Sequence, residues 1–204
     1  MFARSTTIQG DPGSIEAGIA YIRDDVMPAL TAMDGCVGLS LVVDRESGRC
    51  IATSSWDSEE SMRASNDRLT SYRSRAGEIL GGAPAVEEWE AAVMHRDHST
   101  ADGACCRITW ARPSDLDATL EMWRTRLLAR FEAMAGFCSA SLLMDRQRGI
   151  TCGTVTFDSR EALMATREEA REIRDSVSSE MGVAFLDVAE FELVLAHLRL
   201  PELV

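Results

Sequence analysis

The chain is written twice. Residues 40–62 align with residues 141–163 at a constant offset of 101, with nine identities in 23 positions. Ordinary residue frequencies would give about one or two. Asp44-Arg45-Glu46-Ser47-Gly48 stands over Asp145-Arg146-Gln147-Arg148-Gly149, and Trp56-Asp57-Ser58 over Phe157-Asp158-Ser159. Each copy is one supersecondary unit, so the fold must be assembled from two similar halves.

The apolar pattern repeats with the same offset. Ile15, Ile19, Ile22, Val26 and Leu30 form one face of a helix, as do Leu116, Leu120, Trp123, Leu127 and Phe131. Met62, Leu69, Tyr72 and Ala76 mark a second helix, mirrored by Leu163, Ala170, Ile173 and Val177. Asp57-Ser58 and Asp158-Ser159 supply its N-cap oxygens, and Glu60 and Glu161 suit its first turn. Strands read at 2–8, 38–44, 49–56 and 86–95, and again at 105–111, 141–145, 150–157 and 184–197. Gly48 and Gly149 close the hairpins, where a positive φ is needed.

Each half therefore reads β-α-β-β-α-β, the ferredoxin-like unit. The fold class is α+β: two tandem units, residues 1–96 and 104–204, joined by a polar, small-residue linker at 97–103. A four-stranded sheet with both helices on one face leaves an apolar face open, carrying residues such as Trp89, Val93, Leu193 and Leu195. Two copies can cover each other sheet to sheet, as a pseudo-dimer within one chain. Further homodimer formation stays open, through the acidic outer surface or the Leu198-to-Val204 tail.

Composition narrows the chemistry. The net charge of −12 argues against nucleic acid and anionic membranes as partners. All 21 basic residues are Arg, so Schiff-base, P-loop and Ser–Lys chemistry are excluded. No apolar run spans a membrane and no signal peptide precedes the first strand, which gives a cytoplasmic expectation. The six Cys form no C-x-x-C pair and read as reduced thiols. Three His, one of them in the linker, make no metal signature, and no glycine fingerprint is present. No metal, flavin or nucleotide cofactor is expected.

Trp56-Asp57-Ser58-Glu59-Glu60-Ser61-Met62, closing a third strand and opening a second helix, resembles the antibiotic-biosynthesis monooxygenase-like superfamily of dimeric α/β barrels. So do Val26-Met27-Pro28 at the end of the first helix and Gly35-Cys36-Val37-Gly38 before the second strand. The resemblance covers nearly the whole chain. It implies a cofactor-independent monooxygenase or a related small-molecule enzyme, and leaves open a non-catalytic ligand-binding or assembly module on the same barrel. The haem-degrading branch shares a strand-end Trp but places a His about ten residues later. Here that position holds Asn66, and Arg167 in the second half, neither a suitable axial ligand.

The quinone-forming branch needs a pocket with a few polar groups to hold a phenolic substrate and help remove its proton. The first half offers Arg4, Trp56, Asn66, Tyr72 and Arg73 as a substrate-binding set for a small aromatic or anionic molecule. The second half has Arg107, Phe157, Arg167, Ile173 and Arg174 in those places, a poorer polar set, so the working pocket is expected in the first half. Each candidate has a structural alternative. Trp56 and Tyr72 suit core packing, Arg73 suits an ion pair, and a buried Arg4 or Arg107 needs a counter-charge. Glu88 with Glu90, and Glu190 with Glu192, lie ~7 Å apart on one strand face and read as salt-bridge partners of neighbouring Arg. His95 and His197 end the last strands, where an exposed or capping role fits better than a base.

Overall fold

The computed structural model describes residues 1–198 and Leu203. The strands are β1 (Phe2–Gln9), β2 (Cys36–Val43), β3 (Arg49–Trp56), β4 (Pro84–Arg96), β5 (Cys105–Arg112), β6 (Phe137–Asp145), β7 (Ile150–Phe157) and β8 (Ala184–Leu198). In the first unit β3 lies between β1 and β2, and in the second the order is β8-β5-β7-β6-β4. The helices are α1 (Ile15–Tyr21), α2 (Met27–Thr31), α3 (Glu59–Ala64) and α4 (Asn66–Leu80), then α5 (Leu116–Met122), α6 (Leu128–Glu132), α7 (Arg160–Ala165) and α8 (Arg167–Met181). The expected β-α-β-β-α-β order is present twice. Of the C-terminal tail, Leu203 pairs with Met94, and the rest beyond residue 198 lies outside the described residues.

The chain divides into two compact units. The first holds Met1–Trp89 with the end of β8 from Leu193, and the second holds Glu90–Glu192 and Leu203. In the first, β3 pairs antiparallel with both neighbours, from Phe2↔Trp56 to Gln9↔Arg49 and from Cys36↔Trp56 to Val43↔Cys50. In the second, β7 does the same with β5 and β6, from Cys105↔Phe157 and Phe137↔Phe157. Even the bulges repeat, between Cys36 and Gly38 and between Phe137 and Ser139. Gly35 and Gly136 precede them at φ of 75° and 76°. A Cβ on Gly35 would fall 2.5 Å from Asp57 Oδ1, and one on Gly136 would fall 2.7 Å from Ala162 Cβ, so only glycine fits this corner.

Each helical layer departs from one regular rod. The N-caps are as expected: Ser58 accepts from Ser61 N–H and Ser159 from Ala162 N–H. The first helix of each half, however, carries a π turn, Ile22–Val26 and Trp123–Leu127. Pro28 is not its cause, because Ala129 stands in Pro28's place and the π turn forms there too. The extra residue per turn carries the apolar stripe onward, so Ile22 and Leu30, and Trp123 and Phe131, all stay buried.

Polar groups in the two cores differ in a paired way. Trp56 is fully buried, and its indole N–H donates to Ser54 Oγ at 3.0 Å. Trp89 is buried too, and donates to Ser5 Oγ at 2.9 Å. At the matching places the second unit has Phe157 with Val155 and Phe191 with Ile108. Donor and acceptor are both present or both gone, so neither core leaves an indole unsatisfied. Phe157→Trp should therefore lower the stability in urea by about 1–3 kcal/mol, the cost of a buried donor without an acceptor. Adding Val155→Ser should restore part of the loss. Trp56→Phe should cost about 1 kcal/mol, since Ser54 Oγ keeps its bond to the Arg4 carbonyl.

Candidate functional site

Each unit is organised around one buried guanidinium. Arg4, 2% exposed on β1, donates through Nε and Nη2 to Glu88 Oε1 at 3.1 and 2.7 Å, and through Nη1 to Ser65 Oγ at 2.9 Å. Arg107 on β5 does the same with Glu190 Oε1 at 3.2 and 2.9 Å and Thr166 Oγ1 at 3.2 Å, and adds the Leu163 carbonyl. The strand supplies the Arg, the break between the two later helices supplies the hydroxyl, and the last strand supplies the carboxylate. Glu90 pairs with Arg146. Glu88, Glu90 and Glu190 are thus ion-pair partners of Arg residues.

An apolar cavity lies beside each of these arginines. In the first unit it has about 60 Å³ and is lined by Arg4, Thr6, Ile22, Val26, Ser54, Tyr72 and Arg73 over a floor of aliphatic side chains. In the second it has about 80 Å³ and is lined by Arg107, Thr109, Thr151 and Arg174, with Trp123, Phe131, Phe157 and Phe185 as an aromatic wall. A single water needs roughly 10–15 Å³, so each has room for several waters or a small ligand. The π turn of each first helix lies over the cavity, through Ile22 and Val26 or Trp123 and Leu127.

Of the five residues singled out by sequence, Arg4, Tyr72 and Arg73 come together on the first cavity. Trp56 is packed in the core behind it. Asn66 is exposed on α4, where its Oδ1 accepts from Arg73 Nη2 at 2.7 Å. The same one-face spacing that placed Asn66 with Arg73 therefore ties them to each other. In the second unit Arg167 replaces Asn66 and turns to Glu190 instead, with Nη2 to Oε2 at 2.5 Å. That exchange leaves Arg174, the counterpart of Arg73, half-buried on the cavity with no hydrogen bond or ion pair among the described residues.

The family model for antibiotic biosynthesis monooxygenases matches residues 1–70. Rv2557, an uncharacterized protein of Mycobacterium tuberculosis, is 52% identical over 206 residues, covering 100% of this chain and 92% of that protein. An anthrone oxidase-like protein has the same fold, with a TM-score of 0.64 at 13% identity over 97% of this chain and 93% of its own. So does the heme-degrading enzyme LmHde of Listeria monocytogenes, with a TM-score of 0.54 at 10% identity over 94% and 99%. Residues 1–70 thus match the antibiotic biosynthesis monooxygenase model, and the chain belongs to one family with Rv2557.

Within this relative of Rv2557 the charged groups act strongly on one another. Burial, and then the nearby Arg4, lower the pKa of Arg73; burial and then Arg107 do the same to Arg174. Each cavity thus presents a desolvated cation beside a second one. Burial alone would raise Glu190, but hydrogen bonds from Arg167 and Arg107 outweigh it and hold the carboxyl below its ordinary 4.5. Cys106 is wholly buried and its thiol is pushed far up, so the Cys105-Cys106 pair has no thiolate to offer. No helix among the described residues is long and apolar enough to cross a membrane. What sequence reasoning missed is Arg174: its freedom depends on where Arg167 turns, which spacing does not show.

Glu190→Gln leaves Arg107 buried without a counter-charge and should cost about 3 kcal/mol in urea denaturation at pH 7. Glu88→Gln should cost less, because Glu88 is 41% exposed against 25% for Glu190. The sign with pH follows from the depressed carboxyl. Its stabilisation is complete above 4.5 and is lost as pH falls from there towards the folded-state value, so the Glu190→Gln variant should lack that part of the acid transition.

Proposed function

We propose that the protein is a cofactor-independent monooxygenase acting on a small phenolic aromatic molecule in the cavity of the first unit. The observation that carries this reading is the meeting of Tyr72, Arg73 and Arg4 on one apolar cavity. Tyr72's phenol makes no hydrogen bond among the described residues, and is free to take or give one to a substrate hydroxyl. The two guanidiniums favour the phenolate over the phenol, and the apolar walls keep water from competing. Oxidation of an anthrone-type ring needs no further reductant. The ring CH₂ becomes C=O with one oxygen atom of O₂, the other leaves as water, and all four electrons come from the substrate. The fold shared with an anthrone oxidase-like protein supports that choice of substrate class.

A second reading rests on the other cavity. It is the larger, its walls are aromatic, and Arg174 stands on it with no hydrogen bond or ion pair among the described residues. Those features suit non-catalytic binding of an aromatic anion in the second unit.

Oxygen uptake with anthrone, measured above the spontaneous rate, separates the two. One O₂ consumed per quinone formed is expected. Tyr72→Phe should lower kcat at least ten-fold, and Arg174→Gln should leave it unchanged. If no uptake occurs, or Tyr72→Phe matches the parent, the first reading fails. Titration with 1-naphthoate then tests the second, which requires saturable binding that Arg174→Gln removes.

A further inference from the structure

The second unit carries a side-chain cluster with no counterpart in the first among the described residues. His98 Nε2 lies 2.8 Å from Asp158 Oδ1, and Cys138 Sγ lies 3.0 Å from the same oxygen. The three donor atoms all fall within 4.8 Å of one another. We propose that His98, Cys138 and Asp158 bind a divalent metal ion of the zinc class, with solvent as the fourth ligand.

The donor set is of the right kind. Imidazole, thiolate and carboxylate are the zinc ligands, at about 2.0–2.1, 2.3 and 2.0–2.2 Å. A tetrahedral ion at those lengths holds its ligand atoms roughly 3.3–3.8 Å apart. The two contacts to Asp158 Oδ1 need to lengthen by about 0.3–1 Å to reach this, with the metal in place of the protons that now bridge them. Binding displaces one proton from the Cys138 thiol and one from the His98 imidazolium, and both go to solvent. Thiolate and carboxylate then balance the two positive charges of the ion.

The surroundings are also those of a metal centre. His98 Nδ1 is held at 2.8 Å by Asp97 Oδ2, which fixes the ring and turns Nε2 towards the cluster, as outer carboxylates do for metal-bound histidines. The backbone N–H groups of Asp97 and His98 both point to the Cys138 carbonyl, at 2.9 and 3.4 Å. The start of the linker is therefore pinned to β6 at the thiol it faces. Cys138 is buried while His98 and Asp158 are exposed, so an ion can reach the cluster from solvent and meet a shielded sulfur.

The first unit is an internal control. There Asp57 occupies the corner that Asp158 occupies, and Asp57 N–H bonds Gly35 as Asp158 N–H bonds Gly136. The Asp57 carboxylate is taken up by the Ser61 and Ser58 hydroxyls. In the second unit Ser61 is replaced by Ala162, Val37 by Cys138, and the linker brings His98. The competing hydroxyl is lost where the sulfur and the imidazole are gained. The expectation of no metal site does not see this set, because its members come from the linker, from β6 and from the corner before α7.

The test is titration of the EDTA-treated full chain with ZnCl₂ by calorimetry, with CoCl₂ as an optical probe. One ion per chain and a thiolate-to-cobalt charge-transfer band in the near ultraviolet are expected. His98→Gln, at an exposed position that leaves the core intact, should weaken zinc at least ten-fold. Asp97→Asn should weaken it about ten-fold through the ring it orients. Cys138→Ser should abolish the cobalt band, and Cys36→Ser should leave it unchanged. Absence of saturable one-to-one binding, or parental affinity in His98→Gln, overturns the proposal and leaves the cluster a helix-corner hydrogen-bond network.

Discussion

A buried guanidinium with a fixed carboxylate organises each half of this protein. Arg4 and Arg107 are nearly inaccessible, and each fastens a first strand to a last strand and to the hydroxyl between two helices. A buried charge must be paired, so these bonds set the last strand's carboxylate against the first strand's Arg. They also determine what the cavities are. Each cavity has one wall that is cationic because an Arg is held there, while the remaining walls are the hydrophobic core itself.

The two copies have drifted apart in coordinated sets rather than singly. Trp–Ser pairs have become Phe–Val and Phe–Ile pairs, each swap removing a donor with its acceptor. Asn66, which occupies Arg73, has become Arg167, which occupies Glu190 and leaves Arg174 open to the cavity. Ser61, which caps Asp57, has become Ala162, and Asp158 takes His98 and Cys138 in its place. Buried or half-buried polar groups cost free energy when left alone, so a change at one partner forces a change at the other. Loss of the first half's polar residues from the second half is thus not simple decay. Trp56's indole and Asn66's amide are satisfied within the protein, and the second half has gained groups of its own.

The family and its fold set the chemistry within bounds without naming a reaction. What distinguishes the two cavities is local: a phenol without a hydrogen bond in one, a guanidinium without a hydrogen bond or ion pair and an aromatic wall in the other, among the described residues. The shared architecture holds both, because the π turns that shape the cavities recur at the same place in each half.

The duplication, the order of elements, the hairpins and the N-caps are legible along the chain. Those features rest on local rules: residue spacing, glycine at a positive φ, and serine at a helix start. The need of Arg4 and Arg107 for partners is legible too, since a strand covered on both faces buries them. Which partners they take, and what is left over, follows from packing in three dimensions. Asn66 and Arg73 share a helix face in either case, but whether they face a ligand or each other depends on side-chain rotamers. His98, Cys138 and Asp158 are 40 and 20 residues apart in the chain, and no periodicity links a linker, a strand and a helix corner. Contacts of that kind are made by folding, and a pattern read along the chain carries no signal of them.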